Sequence, residues 1–189
     1  MTIGLFGGAF DPIHNGHLAL GECAVKTYGL DAFYFVPCAD SPHLHKSVRT
    51  EAAQRLEMIK LALVDHPSLH VNTCELVRGG VSYTVDTINE FEECFPDAFI
   101  RLFIGSDNYP TFSSWRRYKE ILQKAHVTVI VRDDFIPALA EGFEFMPMPQ
   151  VAVSSSEIRA AVAADRDISG LVPSSVAAYI RERGLYRSR

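Results

Sequence analysis

The sequence predicts an α/β fold: a doubly wound, mostly parallel sheet with helices on both faces and a small C-terminal helical appendage over about residues 150–189. Three observations predict it. Short apolar runs bounded by Gly or Pro recur along the chain, as strands buried on both faces require. Between them lie stretches with apolar residues at helical spacing. The two kinds of stretch alternate, which calls for parallel strands joined by right-handed crossovers. No repeat or low-complexity linker breaks the pattern, so residues 1–189 are expected to form one domain.

Ile3–Phe6 is the first strand, ended by Gly7-Gly8. Asn15 is expected to cap a helix to about Tyr28, with Gly29 as its stop. Ala32–Val36 is a strand closed by Pro37, and the polar loop "PCADSPHLHKS" follows. Thr50-Glu51 starts a helix through about Asp65, whose Leu56, Ile59, Leu61, Ala62 and Leu63 make one broad apolar face. Leu69–Val71 is a short strand. Thr84 to about Cys94 is helical, with Val85, Ile88 and Phe91 at helical spacing. Phe99–Ile104 is a strand ending at Gly105, Ser113–Lys124 a helix, Val127–Val131 a strand and Phe143–Met146 a weaker one. Ser154 opens a further helix, and Ser174–Arg183 is a last amphipathic helix stopped by Gly184.

Composition narrows the function classes. The chain is 48% hydrophobic and 22% charged, as soluble globular proteins are. A net charge of −5 gives no global electrostatic case for nucleic acid, so any anion site must come from local geometry. No apolar run approaches the ~20 residues of a membrane span, and no signal peptide is expected. Cys23, Cys38, Cys74 and Cys94 are scattered with no CxxC, which fits reduced, mostly buried thiols in a cytoplasmic protein.

The stretch "GLFGGAFDPIHNGHLAL" (4–20) is chemically the most pointed. Gly7 and Gly8 sit at the carboxyl end of a strand, where open parallel sheets bind ligands, and let backbone N–H groups come close to one. His17 falls in the first turn of the next helix, where free N–H groups and the positive dipole end make an anion site. Gly16 is expected to leave space for a phosphate against the backbone. A zinc site lacks partners: the histidines are not in HExxH, and no cysteine pair or acidic residue has ligand spacing. A hydride-transfer site lacks its GxGxxG fingerprint, because the glycines stand at 4, 7 and 8. Taken alone, the stretch also fits two histidines on a solvated turn.

It is not alone. "GGAFDPIHNGH" resembles the HxGH signature of the nucleotidylyltransferase superfamily, and "VAVSSSEIRAAV" (151–162) resembles that superfamily's second signature, ISSTxIR, with Val153 for Ile and Ser156 for Thr. Ser154–Ser156 offer hydroxyls and free N–H groups at a second helix N-terminus, and Arg159 a planar charged fork for phosphate. Four further stretches resemble the bacterial nicotinate-mononucleotide adenylyltransferases: "TEAAQRLEMIKLAL" (50–63), "ELVRGGVSYTVDTI" (75–88), "FIGSDNYPTFSSWRRY" (103–118) and "VPSSVAAYIRERGLY" (172–186). The loop "SPHLHKS" (41–47) departs from the family's Pro-Pro-His-Lys by an interrupting His43-Leu44, which aligns His45-Lys46 with the His-basic pair.

The resemblance implies a Rossmann-like sheet and transfer of the adenylyl group of ATP to nicotinate mononucleotide, giving deamido-NAD and pyrophosphate. It implies catalytic roles for His17, His14, Lys46 and Arg159. It implies ATP binding by Gly7, Gly8, Ala9, Phe10, His14, Gly16, His17, Gly105, Asp107, Ser154, Ser155 and Arg159. Mononucleotide binding falls to Lys46, Tyr83, Thr84, Trp115 and Arg132, with Trp115 stacking on the pyridine ring and the Tyr83-Thr84 amides holding the carboxylate. Mg²⁺ is expected with ATP, held by phosphates and water. Partners are those two substrates, with no nucleic acid or membrane, in a monomer or weak homo-oligomer. The competing readings are a cytidylyl- or pantetheine-phosphate adenylyltransferase, which the "SYT" and tryptophan segments oppose, an enzyme preferring the nicotinamide mononucleotide, and a non-catalytic nucleotide sensor, which the intact pair of signatures opposes.

Overall fold

The central strand β1 (Thr2–Gly8) pairs in parallel with β2 (Ala32–Pro37) on one side and β4 (Phe99–Gly105) on the other. Beyond them lie β3 (Leu69–Val71), β5 (Ala125–Val131) and β6 (Phe143–Pro147), in the order β3-β2-β1-β4-β5-β6. All five pairings are parallel. The computed structural model describes residues 1–40, 50–131, 140–148 and 151–187.

Strand alternation sends side chains to two faces. Phe33, Phe35, Phe103 and Ile130 face the helices α1 (Asn15–Tyr28), α2 (Ala52–Leu63), α6 (Ser155–Ala163) and α7 (Ser174–Glu182), which contribute Leu20, Met58, Ile59, Ile158, Val176 and Ile180. Ile3, Leu5, Leu102, Val127 and Val129 face α4 (Thr84–Cys94), a 3-10 turn (Tyr109–Ser114) and α5 (Tyr118–Lys124), which contribute Val85, Ile88, Phe91, Phe112 and Ile121. The sheet is therefore covered on both sides, as its nearly continuous apolar strands require. The C-terminal helices share the first of these two cores, and α7 packs on α2.

Four local expectations are corrected. The cap of α1 is His14, at φ −148° and ψ 170°, not Asn15. Asn15 is spent elsewhere: its backbone N–H donates to Leu171 O (3.0 Å) and its side chain to Gly170 O (2.8 Å). The second helix begins at Ala52 and ends at Leu63, because Thr50 turns inward to a tertiary partner. A short helix, α3 (Cys74–Arg78), was not foreseen, being too brief for periodicity to register. The helix expected over 113–124 is broken: Trp115 is extended (φ −69°, ψ 143°) and Arg117 adopts a left-handed φ of 55°, so α5 starts only at Tyr118. Gly29, at φ 59°, closes α1 as expected.

Gly4 marks the tightest packing of β1. A Cβ there would lie 2.7 Å from Phe33 Cδ2 and 2.8 Å from Leu30 Cδ1, inside any real contact distance. Gly4→Val is expected to cost about 2 kcal/mol by overpacking, read as a lower urea midpoint at unchanged m. An unchanged midpoint would show that this face yields more easily than its geometry implies.

Candidate active site

The segment 9–14 links β1 to α1 without secondary structure of its own, so its buried carbonyls need donors from elsewhere. Three arrive from distant elements. Arg55 of α2 donates through Nη1 to Ala9 O (2.7 Å) and through Nη2 to Cys38 O (2.8 Å). Arg159 of α6 donates through Nη1 to Asp11 O (2.7 Å). Ser155 Oγ, at the start of α6, donates to Pro12 O (2.8 Å). Arg55 is 1% exposed, so these carbonyls stabilise a fully buried guanidinium.

The loop delivers His14 and His17 to the site. Their rings stack with centroids 3.6 Å apart and planes 18° from parallel. The His14 backbone N–H donates to His17 Nδ1 (3.2 Å). An accepting Nδ1 leaves the ring proton on Nε2, so the geometry assigns His17 the tautomer that presents a donor away from its own helix. Phe10 packs edge-on to His17 at 5.1 Å and fixes the ring's other side. Gly16 works differently from expectation. A Cβ there would lie 3.0 Å from Val153 Cγ1 and 3.1 Å from His14 Nδ1, so its close approach is to the protein.

At the second signature, Ser154 caps α6 as expected. Its hydroxyl accepts from the Glu157 backbone N–H (3.2 Å) and also lies 2.8 Å from Glu157 Oε2. The hydroxyls of Ser154 and Ser155 and one edge of Arg159 are thus engaged within the protein. The first turn of α6 still carries backbone N–H groups with no carbonyl partner inside the helix.

Asp11 anchors the loop from its side chain. It is 2% exposed, and its Oδ1 accepts from Tyr186 OH (2.7 Å) and from the Thr50 hydroxyl, which itself lies 3.0 Å from Tyr186 OH. Burial first, and the Asp11 charge beside it, push the Tyr186 phenol far above its ordinary range, so it stays a donor. Residues near both ends of the chain are joined at one carboxylate.

A cavity of about 560 Å³ opens between the carboxyl ends of β1 and β4, where the strand order reverses. Gly7, Gly8, Gly105 and Asp107 line one part, and Tyr83, Thr84 and Trp115 another. Tyr83 is the cap of α4, so this helix aims its free amides into the cavity. The Trp115 ring leans on Phe112 at 5.1 Å while facing the cavity, so it both packs and lines. The backbone of Ala9 and the ring of Phe10 serve the loop itself. Lys46 and Arg132 lie outside the described residues.

Sequence reasoning missed several lining and positioning groups. Glu75 is buried, lines the cavity and accepts from Thr87 Oγ1 (2.6 Å), tying α3 to α4. Cys38 also lines it, its thiol pushed up to about 11 by burial and so neutral. Arg55, Thr50, Tyr186 and Arg116 carried no signal beyond their places in the quoted segments.

The histidines and the start of α6 do not line this cavity; they meet at the loop that continues from its Gly7-Gly8 wall. Two paired helix N-termini next to a strand-order reversal are the build of a nucleotide-handling α/β enzyme. The family model "Cytidylyltransferase-like" matches residues 5–161, and the chain belongs to that family. It is 37% identical to a "probable nicotinate-nucleotide adenylyltransferase" of Herpetosiphon aurantiacus over 97% of this chain and 98% of that one, and 35% identical to the one of Citrifermentans bemidjiense, with 98% of each chain covered. Within the family it stands as an enzyme among the nicotinate-nucleotide adenylyltransferases. The fold matches Plasmodium falciparum nicotinic acid mononucleotide adenylyltransferase complexed with NaAD, with a TM-score of 0.79 and 20% identity over 98% of this chain and 97% of that one. The same protein complexed with APC gives 0.76 and 19% over 98% and 96%. Among the described residues no helix is long and apolar enough to cross a membrane.

Tyr186→Phe removes one donor from the buried Asp11 carboxylate and keeps the ring. It is expected to cost about 2 kcal/mol of stability and to weaken ATP binding by loosening the loop. Equal unfolding midpoints and ATP affinities, compared by denaturation and calorimetry, would reduce the contact to a crossing of side chains.

Proposed function

We propose that the enzyme transfers the adenylyl group directly, with no covalent intermediate. An oxygen of the nicotinate mononucleotide 5′-phosphate bonds to the α-phosphorus of ATP, the bond from that phosphorus to the bridging oxygen breaks, and pyrophosphate leaves with the electron pair. The attacking phosphate is already an anion, so no strong base or enzyme nucleophile is required. The work left to the protein is positioning and charge stabilisation. The observation that carries this reading is the joining of the two signature segments. Arg159 and Ser155 donate to the carbonyls of Asp11 and Pro12, which sets the N-termini of α1 and α6 side by side.

The roles at the phosphates rest on this placement, and the others follow from the resemblance. The Nε2 donor of His17 serves the α-phosphate, with His14 holding its ring. The first turn of α6 and the outer edge of Arg159 serve the β- and γ-phosphates. Asp107 serves a ribose hydroxyl. Trp115 stacks on the pyridine ring, and the α4 amides at Tyr83-Thr84 take the ring's substituent. Lys46 and Arg132 add charge toward the mononucleotide. Mg²⁺ is expected as part of MgATP, held by phosphates and water, where it neutralises phosphate charge.

The test is pyrophosphate release from MgATP with nicotinate mononucleotide or its amide. Rapid release with the acid supports the reading, and none with either mononucleotide sinks it. His17→Ala is expected to lower kcat at least ~100-fold, as loss of a transition-state donor does, and near-normal kcat would remove His17 from the chemistry. Trp115→Ala should raise the mononucleotide KM while largely sparing kcat, because stacking is mostly ground-state binding. An unchanged KM would leave Trp115 as packing.

A further inference from the structure

The buried stripe of α2 begins with a charge. Met58, Ile59 and Ala62 are core residues, and Arg55 stands before them at the same helical spacing, 1% exposed. An apolar side chain would fill that place without the cost of burying a guanidinium. Among the described residues no carboxylate pairs with Arg55. Its charge is met by two backbone carbonyls, Ala9 O (2.7 Å) and Cys38 O (2.8 Å).

Those carbonyls belong to two different parts of the site. The β1–β2 pairing ends with Gly8 opposite Pro37, and the Cys38 N–H donates to Gly8 O (2.9 Å). One residue further along each chain, Arg55 replaces the ladder as the tie between them. Ala9 opens the loop that carries His14 and His17 into α1. Cys38 lines the cavity. The segment after Cys38 is stitched to the approach of α4. The Ala39 N–H donates to Ser82 Oγ (3.2 Å) and the Ser82 N–H to Asp40 O (2.7 Å), one residue before the Tyr83 cap. A hydrogen-bonded path therefore runs from the loop of the first signature, through one guanidinium, to the cavity wall at Ser82 and Tyr83.

We propose that Arg55 is a positioning residue for the transfer step: it holds the loop that serves the ATP α-phosphate in register with the cavity wall that serves the mononucleotide, so that the attacking oxygen meets the α-phosphorus. This rests on the adenylyl-transfer reading above. Neither part depends on Arg55 alone for its own shape. The loop keeps the bonds from Arg159 and Ser155, and the wall keeps those to Gly8 and Ser82. Removing the guanidinium therefore leaves two binding sites and loosens the distance between them. Arg offers two donors in a rigid fork, one for each carbonyl, whereas Lys offers a single compact ammonium.

The experiment compares wild type with Arg55→Lys and with Arg55→Met, which suits the apolar stripe. Calorimetry reads the affinities for MgATP alone and for nicotinate mononucleotide alone. Single-turnover formation of the dinucleotide, with both substrates saturating, reads the transfer step. Each affinity is expected to stay within about threefold of wild type, while the single-turnover rate of Arg55→Met falls roughly 100-fold, the scale of a misplacement of about 1 Å. Arg55→Lys should fall between, keeping the charge but not the fork. Transfer at the wild-type rate in a folded variant overturns the assignment. A loss of about tenfold or more in either affinity also overturns it, because Arg55 would then serve one binding site and not the register between two. Failure of both variants to fold would make Arg55 a residue of stability and overturn it as well. A wild-type enzyme that forms no dinucleotide from nicotinate mononucleotide or its amide would overturn the reaction itself, and this inference with it.

Discussion

The site depends on how the backbone between β1 and α1 is satisfied. Residues 9–14 run through the interior with no ladder to take their carbonyls, and an unpaired buried carbonyl is costly. The donors are long or capping side chains from α2 and α6: Arg55 to Ala9, Arg159 to Asp11 and Ser155 to Pro12. Each bond closes a large loop in sequence. Together they mean that α6 cannot dock without meeting the first signature. The same bonds that stabilise the loop hold the N-termini of α1 and α6 in register.

The charge arrangement is a result of that bonding. The chain is acidic overall, with a net charge of −5, yet the described site brings together buried Arg55, Arg159 and two helix N-termini. Arg55 has its charge spread over two carbonyls, Ala9 O and Cys38 O, one in the loop and one just past β2. It fixes the distance between those strand ends and contributes a positive potential without reaching the cavity as a ligand. Asp11 is its counterpart in sign. Held by the hydroxyls of Thr50 and Tyr186, it remains buried behind the histidines, where it orients the loop.

Much of this architecture was readable in the residues, and the misses share a cause. Strands such as Phe99–Gly105 announced themselves because burial on both faces demands a continuous apolar run. The helix ends were read from local preference, which tertiary bonding overrode. Asn15 is the better cap by intrinsic tendency, but its side chain is taken by Gly170 O, so His14 holds that position. His17, Ser154 and Arg159 draw notice in the sequence because they stand in short, dense patterns. Arg55, Thr50 and Tyr186 were not, because each acts on a residue far away in sequence and looks in its own segment like an ordinary helix, loop or tail residue. Trp115 and Arg116 show the same limit. Their helical-looking neighbourhood hid an extended break.

That break ties the second core to the cavity. Phe112 is buried against Phe143 and the β5 face, and it carries the Trp115 ring at its edge. The 3-10 turn is thus nailed to the sheet just before the chain turns outward. At that outward turn the Trp115 ring packs on Phe112 and the Arg116 guanidinium on the Tyr83 ring. The loop after β1 is built the opposite way, from directional bonds to its carbonyls. Side chains on the Trp115 side of the cavity can therefore change identity without disturbing β1 or the loop that leaves it.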